Sequence, residues 1–225
     1  MGEIVIFLIN QYLLYSMKRT IFLFGLIFCT VLGVTSCAKA GDNTVRQAMQ
    51  AYSAGQYDTA LQFFTQALEE DTNYSDEILY TFIANVYANQ GEYEKAIEAQ
   101  EKSLSLRADY RGYVTLGMLY HLVKNDENAA AAYQNAIALD EKKGEAYASL
   151  GALYLGQNDA AQAIPLLEKA TTLEPNIAVI QANLAVAYAL LGDTEKSDAA
   201  LFKARELKCE NLDQFEDRIA EIISR

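Results

Sequence analysis

Residues 147–175 carry the clearest pattern of small and large apolar positions in the chain. Small residues at Gly151, Ala163 and Ala170 alternate with large apolar residues such as Tyr147 and Leu167 at helical spacing. This pattern suits two helices packed face to face around a short turn, because backbones approach closely only where the side chains are small. The stretch therefore predicts a helical hairpin.

The same pattern recurs along the chain at a nearly constant interval. Residues equivalent to Ala163 are separated by 36, 33, 34 and 34 residues. They are Ala60, Ala96, Ala129, Ala163 and Ser197, and the turns between the two helices of each pair are predicted at Gly55, Gly91, Asn125, Asn158 and Gly192. A repeat of this period indicates a stack of helical pairs, so we expect an all-α fold.

At these positions the chain resembles the tetratricopeptide repeat family. The Leu-Gly pair of that family appears as Leu116-Gly117 and Leu150-Gly151, and its closing proline appears as Pro175. The chain departs from the family pattern at Gln100, which takes an apolar position of a second helix. The resemblance implies a right-handed α-solenoid of about five helix pairs, at residues 44–74, 77–108, 110–141, 144–175 and 178–208.

Residues 209–225 follow the last predicted pair and carry an apolar stripe at helical spacing. Asn211 and Gln214 have the spacing of a capping box, which starts a helix. The stripe consists of Leu212, Phe215, Ile219, Ile222 and Ile223. Because a stack of repeats needs its end covered, we interpret this segment as a capping helix. The alternative is a helix that binds a partner or pairs two copies of the chain.

The N-terminus predicts a targeting segment ahead of the fold. Residues 17–36 contain two basic residues, an apolar stretch at positions 21–34 that is shorter than the roughly 20 residues of a membrane span, and small polar residues before Cys37. This segment resembles the signal peptide of bacterial lipoproteins, which implies that Cys37 is acylated. The alternatives are a signal anchor with an incidental cysteine, or cleavage elsewhere. Residues 1–16 are interpreted as an upstream extension and residues 37–43 as a flexible tether.

Composition and charge exclude several classes of function. The formal net charge is −12, and no stripe of basic residues follows position 20, so the chain would repel a phosphate backbone. His121 is the only histidine, and no second histidine or cysteine lies nearby in sequence to complete a metal site or an activated nucleophile. We therefore predict that the chain is not an enzyme and holds no cofactor or metal.

The resemblance implies that the first helices of the pairs line an inner groove where partners bind. The residues expected there are Met49, Tyr52, Asn85, Asn89, Met118, His121, Leu122, Ala148, Ala152, Leu155 and Val186. Asparagines near the start give way to apolar residues near the end, a lining that suits an extended peptide or an amphipathic helix. The alternative is that some apolar positions are core, or are covered by the tail helix.

The predicted function is that of a lipid-anchored scaffold or assembly factor, which binds an envelope protein or peptide through the groove and the membrane through Cys37. Ala38 follows that cysteine, and the resemblance to lipoproteins then implies the outer membrane, facing the periplasm. The alternative is a ligand-binding accessory subunit of a periplasmic transport system, with an apolar cavity lined by Ala148, Leu155 and Val186.

Overall fold

The computed structural model describes residues 39–224, which form eleven helices and no strand. The helices are α1 (Ala40–Ser53), α2 (Tyr57–Ala67), α3 (Asp76–Gln90), α4 (Tyr93–Leu106), α5 (Tyr110–Leu122), α6 (Asp126–Leu139), α7 (Gly144–Gly156), α8 (Ala160–Leu173), α9 (Ala178–Leu190), α10 (Thr194–Glu206) and α11 (Leu212–Ile223). The prediction of an all-α fold is confirmed over these residues. None of the described helices is long and apolar enough to cross a membrane.

The described residues divide into two compact units, and the boundary falls within α6. The first unit comprises residues 39–129 and the second comprises residues 130–224. In the first unit, α1 packs against α2 and α3 packs against α4, whereas in the second unit α7 packs against α8 and α9 packs against α10. Each of these pairs is a helical hairpin of the kind that the repeat pattern predicts. We call the first helix of a pair its A helix and the second its B helix.

Close approach within a pair depends on the small residues that define the repeat. A Cβ atom added at Gly151 in α7 would lie 2.8 Å from Cγ of Leu167 and 3.3 Å from the carbonyl oxygen of Ala163, both in α8. Leu167 and Ala163 are fully buried. The leucine therefore fills the space that the missing side chain leaves, which is the complementarity of small and large residues that the sequence predicts.

The turns between A and B helices share one backbone geometry. One residue in each turn has a positive φ, between 59° and 78°: Gly55, Gly91, Lys124, Asn158 and Gly192. The next residue donates its N–H to the carbonyl five positions back, as Glu92 does to Tyr87 at 2.9 Å and Asp193 does to Tyr188 at 3.0 Å. This is the Schellman ending of a helix, which favours glycine at the left-handed position.

The third turn differs from the sequence prediction by one residue. Asn125 was expected to mark it, but Lys124 takes the left-handed conformation, with φ of 61°. Asn125 is instead the residue that donates its N–H to Tyr120, at 2.8 Å. Lys124 lies five residues before Ala129, the same offset that separates Gly91 from Ala96, so the repeat register overrides the preference of asparagine for left-handed geometry.

The first helix begins earlier than predicted, inside the segment assigned to a tether. Residues 40–43 form the first turn of α1 because the loop after α2 holds them. The carboxylate of Asp42 accepts hydrogen bonds from the N–H of Asn73 at 2.7 Å and the hydroxyl of Thr72 at 2.9 Å. These bonds, the Asn73 backbone bond foremost, lower the pKa of Asp42 to about 2.

Tyrosines near the ends of A helices also connect neighbouring pairs. The hydroxyl of Tyr188 in α9 donates to Oε1 of Glu168 in α8 at 2.5 Å, and Tyr120 in α5 donates to Glu101 in α4. Burial, together with the adjacent carboxylate, raises the pKa of each of these two phenols to about 12. Each phenol thus joins the A helix of one pair to the B helix of the pair before it.

Candidate protein-binding surface

In the first unit, the predicted inner-groove residues of α1 and α3 form a hydrogen-bonded polar patch. Asn89 Nδ2 donates to the hydroxyl of Tyr52 at 2.8 Å and to the backbone carbonyl of Asn85 at 2.7 Å. Burial is the main cause that raises the pKa of Tyr52, so its hydroxyl stays protonated at neutral pH. The first two A helices therefore share one face. We call the positions listed from the sequence for the inner groove the A-helix face.

This part of the A-helix face is accessible. Asn89 is exposed, and Met49, Tyr52 and Asn85 are half-buried. Amide and phenol groups fixed on rigid helices can bond to the backbone of a peptide, and the methionine adds adaptable apolar surface. The patch has the chemistry of a protein contact.

The third A helix, α5, contributes Met118, Leu122 and His121, which are all half-buried. His121 Nδ1 lies 2.7 Å from Oδ1 of Asp126, and the side chain of His121 is 12% exposed. Its Nε2 atom is buried and has no hydrogen-bond partner within the described part of the chain. The imidazole is thus held by the start of α6. Residues 39–224 contain no group of three or more His, Cys, Asp or Glu side chains arranged to hold a metal.

In the second unit, most of the A-helix face is covered. Leu155 is 1% exposed, Val186 is fully buried and Ala148 is 7% exposed, and all three belong to one core cluster with Phe215 and Ile219 of α11. Ala152 is half-buried. The sequence predicts that these apolar positions line a partner-binding groove, but they form one buried core cluster with α11, which packs mainly against α9. The residues that suggested a transporter cavity are therefore core in this arrangement.

Sequence reasoning did not identify Arg218, which fixes α11 in place. Its Nη2 donates to the carbonyl of Leu155 in the last turn of α7 at 3.1 Å. A cation at that position also complements the negative end of the helix dipole. The signal was present in the sequence, because Arg218 lies within the stripe formed by Phe215, Ile219 and Ile222, and a charge in an apolar stripe needs a partner.

The capping box predicted at the start of α11 does not form. Asn211 has φ of 55° and ψ of 37°, and its side chain makes no capping bond. A side-chain cap needs an extended backbone at this position, which the left-handed conformation excludes. Cys209, in the same linker, is half-buried, and burial raises the pKa of its thiol to about 11. Cys37, the predicted lipidation site, lies outside the described residues.

These features define the class of protein: a stack of helical hairpins whose accessible groups suit protein contacts. Family models described as tetratricopeptide repeat match residues 51–109, 110–143 and 144–177, which together are more than half of the chain. The chain belongs to the tetratricopeptide repeat family.

The chain is also similar to curated relatives and, in its fold, to a solved structure. The chain is 26% identical over 92 residues to the Hsp70-Hsp90 organising protein of Plasmodium falciparum, a match that covers 40% of this chain and 36% of that protein. It is 30% identical to the photosystem I assembly protein Ycf3 of Rippkaea orientalis, covering 53% of this chain and 70% of that one. The crystal structure of MamA protein superposes with a TM-score of 0.67 at 23% identity, covering 75% of this chain and 91% of MamA. The chain spans about a third or less of the length of the first curated relatives that it matches.

Proposed function

We propose that this chain is a protein-interaction scaffold or assembly factor, and that its primary contact surface is the A-helix face of the first unit. The observation that carries this proposal is the accessible patch of Met49, Tyr52, Asn85 and Asn89, fixed by hydrogen bonds between α1 and α3. Two relatives have names that describe organising or assembling proteins, which agrees with such a role.

Site-specific photo-crosslinking in intact cells tests this surface. A photoreactive residue is placed at Met49 or Asn85 on the A-helix face, and the matched controls carry it at Gln62 in α2 or Glu98 in α4, which are exposed in B helices. We expect Met49 and Asn85 to yield the same discrete crosslinked protein, and the B-helix positions to yield none. Equal crosslinking from both pairs of positions would reject the A-helix face as the contact surface.

The cellular setting of the proposal is the bacterial envelope, with the chain anchored by lipid on Cys37. The support is the lipoprotein-like signal in residues 17–36, since two or three acyl chains on one cysteine anchor a protein stably whereas one chain does not. The Cys37→Ser chain should move from the membrane fraction to the soluble fraction after cell lysis. Cys209→Ser is the control and should stay with the membranes. Membrane association of both variants would reject lipidation at Cys37.

A further inference from the structure

B helices inside the stack present one stripe of residues to the A helix of the following pair. Glu101 in α4 and Glu168 in α8 each accept a hydrogen bond from a tyrosine hydroxyl of the next A helix. Leu104 in α4 packs against Gly112 of α5, where an added Cβ atom would lie 2.8 Å from Cδ2 of the leucine. The two glutamates lie five residues after the repeat marks of their helices, and Leu104 lies eight residues after its mark. Positions one, four, five and eight after the mark share this side of the helix.

The last B helix of the described chain, α10, exposes the same stripe. Counting from Ser197, the stripe consists of Asp198, Leu201, Phe202 and Arg205, which we call the end stripe. Helix α11 does not take the place of a following A helix, since it packs mainly against α9 and only slightly against α10. Phe202 stands where α4 and α8 have their glutamates, and it is 58% exposed. The stack therefore ends on an accessible aromatic side chain.

The charges of the end stripe allow two copies of it to match. Asp198 and Arg205 are both exposed and lie at its two ends. If two α10 helices pair antiparallel about a twofold axis midway between Leu201 and Phe202, Asp198 of each copy faces Arg205 of the other. Arg205 already bonds Glu216 through Nη2, and its remaining N–H groups can meet a second carboxylate. The stripe is thus complementary to itself in charge, with apolar side chains at its centre.

The earlier B helices lack this arrangement. None of the four has a charged residue at the positions equivalent to Asp198 and Arg205. In α4 these positions are Ile97 and Leu104, which are each 9% exposed. Contact with water explains the charged ends of the end stripe, because the last repeat of a stack needs a polar outer face. It does not explain Phe202, since a large apolar side chain is stabilised by burial and not by water.

We propose that the end stripe is a homodimer interface, in which α10 packs antiparallel against α10 of a second copy of this chain. Each copy contributes one helix of 13 residues, which is about 20 Å long. An interface of this size is at the low end for specific contacts, so the dimer forms weakly and reversibly. It uses none of the residues of the A-helix face and therefore adds a second contact surface to the proposed function.

Photo-crosslinking of the full chain in intact cells tests the interface. Two differently tagged copies are co-expressed with a photoreactive phenylalanine at Phe202. The matched control carries it at Leu106, an apolar residue of α4 that is 49% exposed. We expect a covalent dimer that contains both tags from Phe202 and none from Leu106. Absence of this dimer, or crosslinking of Phe202 to a different protein alone, would overturn the proposal.

Charge variants of the crosslinking chain test the antiparallel register. Asp198→Arg and Arg205→Asp each place like charges at both ends of the paired stripes, so each alone should lower the yield of covalent dimer at least ~10-fold. Co-expression of these two variants restores opposite charges at both ends and should restore the dimer between the two tags. Glu216→Ala is the control, because it removes the intrachain partner of Arg205 and leaves the end stripe unchanged. It should dimerise at least as well as the wild type.

The outcome of the co-expression decides the proposal. Both charged positions are exposed, so we expect circular dichroism to show unchanged helical content in each variant. If either single variant dimerises as well as the wild type, or the co-expressed pair fails to dimerise, antiparallel pairing of α10 is rejected. Crosslinks from Met49 and Asn85 to another protein are independent of this result, so the proposed function can stand or fall separately.

Discussion

The A-helix face is open in the first unit and covered in the second, although both units are built from the same repeat. Asn85 in α3 and Val186 in α9 both lie eleven residues before the repeat positions, Ala96 and Ser197. Asn85 is half-buried, whereas Val186 is fully buried in the cluster that contains Phe215 of α11. The repeat thus fixes where a side chain sits on its helix, but a segment outside the repeat decides whether that side chain is accessible.

The sharpest test of this difference compares a leucine-to-alanine substitution on the A-helix face of each unit. Leu155→Ala removes a buried side chain from the core cluster that includes Phe215 of α11, and should lower the free energy of unfolding by about 2 to 5 kcal/mol, as cavity-forming substitutions do. Leu122→Ala removes a half-buried leucine from the last turn of α5 and should cost about 1 kcal/mol. Urea denaturation measures both values. Equal losses would mean that the A-helix face is buried to the same degree in both units.

The B helices differ at a position that normally completes the core. Four residues after the repeat mark, α8 of the second unit has Leu167, which packs against Gly151, and α2 of the first unit has the buried Phe64, whereas α4 of the first unit has Gln100. Gln100 is fully buried, and neither its Nε2 nor its Oε1 has a hydrogen-bond partner among the described residues. An unpaired buried amide costs free energy, so Gln100→Met should raise the free energy of unfolding by about 1 to 3 kcal/mol.

The exposed residue Gln62 provides the control for this change. Gln62→Met alters the same chemical groups at an accessible site of α2 and should change stability by no more than about 0.5 kcal/mol. A Gln100→Met chain that is less stable than the wild type would show that the amide finds a partner in solution.

The turns allow a smaller test of the shared register. Lys124 has φ of 61° where the turns before α4 and α10 have Gly91 and Gly192. Lys124→Gly relieves this strain and should raise the melting temperature, with a stabilisation of about 0.5 to 1 kcal/mol. The control is Lys102→Gly inside α4, which should destabilise by about 1 kcal/mol because glycine is a poor helix former. Destabilisation by both substitutions would contradict the left-handed assignment of Lys124.

The smallest expected effect is a decrease in the stability of the first unit at low pH. The pKa of Asp42 is lowered to about 2 by the hydrogen bond from the Asn73 backbone and its neighbours, while an unfolded aspartate titrates near 3.8. A lowered folded pKa contributes stability that is complete above about pH 4 and is lost as the pH falls through about 2. In the Asp42→Asn chain, the melting temperature should change less with pH between these two values. An unchanged slope would show that the carboxylate does not hold the start of α1.

The sequence determined the features that depend on residues close together in the chain. The spacing of Gly151, Ala163 and Leu167 specifies how two helices pack, since each pair lies within about 30 residues and the small positions are set by backbone contact. The same repeat register also predicts which residue is left-handed in the third turn. A count of five residues before Ala129 leads to Lys124, but the usual turn preference of asparagine pointed to Asn125.

Only the tertiary structure decided which part of the A-helix face is accessible. The amphipathic stripe of α11 is evident in the sequence, yet a stripe does not specify the surface that receives it. The contact that fixes it joins Arg218 to the carbonyl of Leu155, 63 residues earlier, and no local pattern encodes that distance. Burial is a property of the whole unit and not of the repeat. The packing of the non-repeating helix α11 therefore decides whether Leu155 and Val186 are binding residues or core.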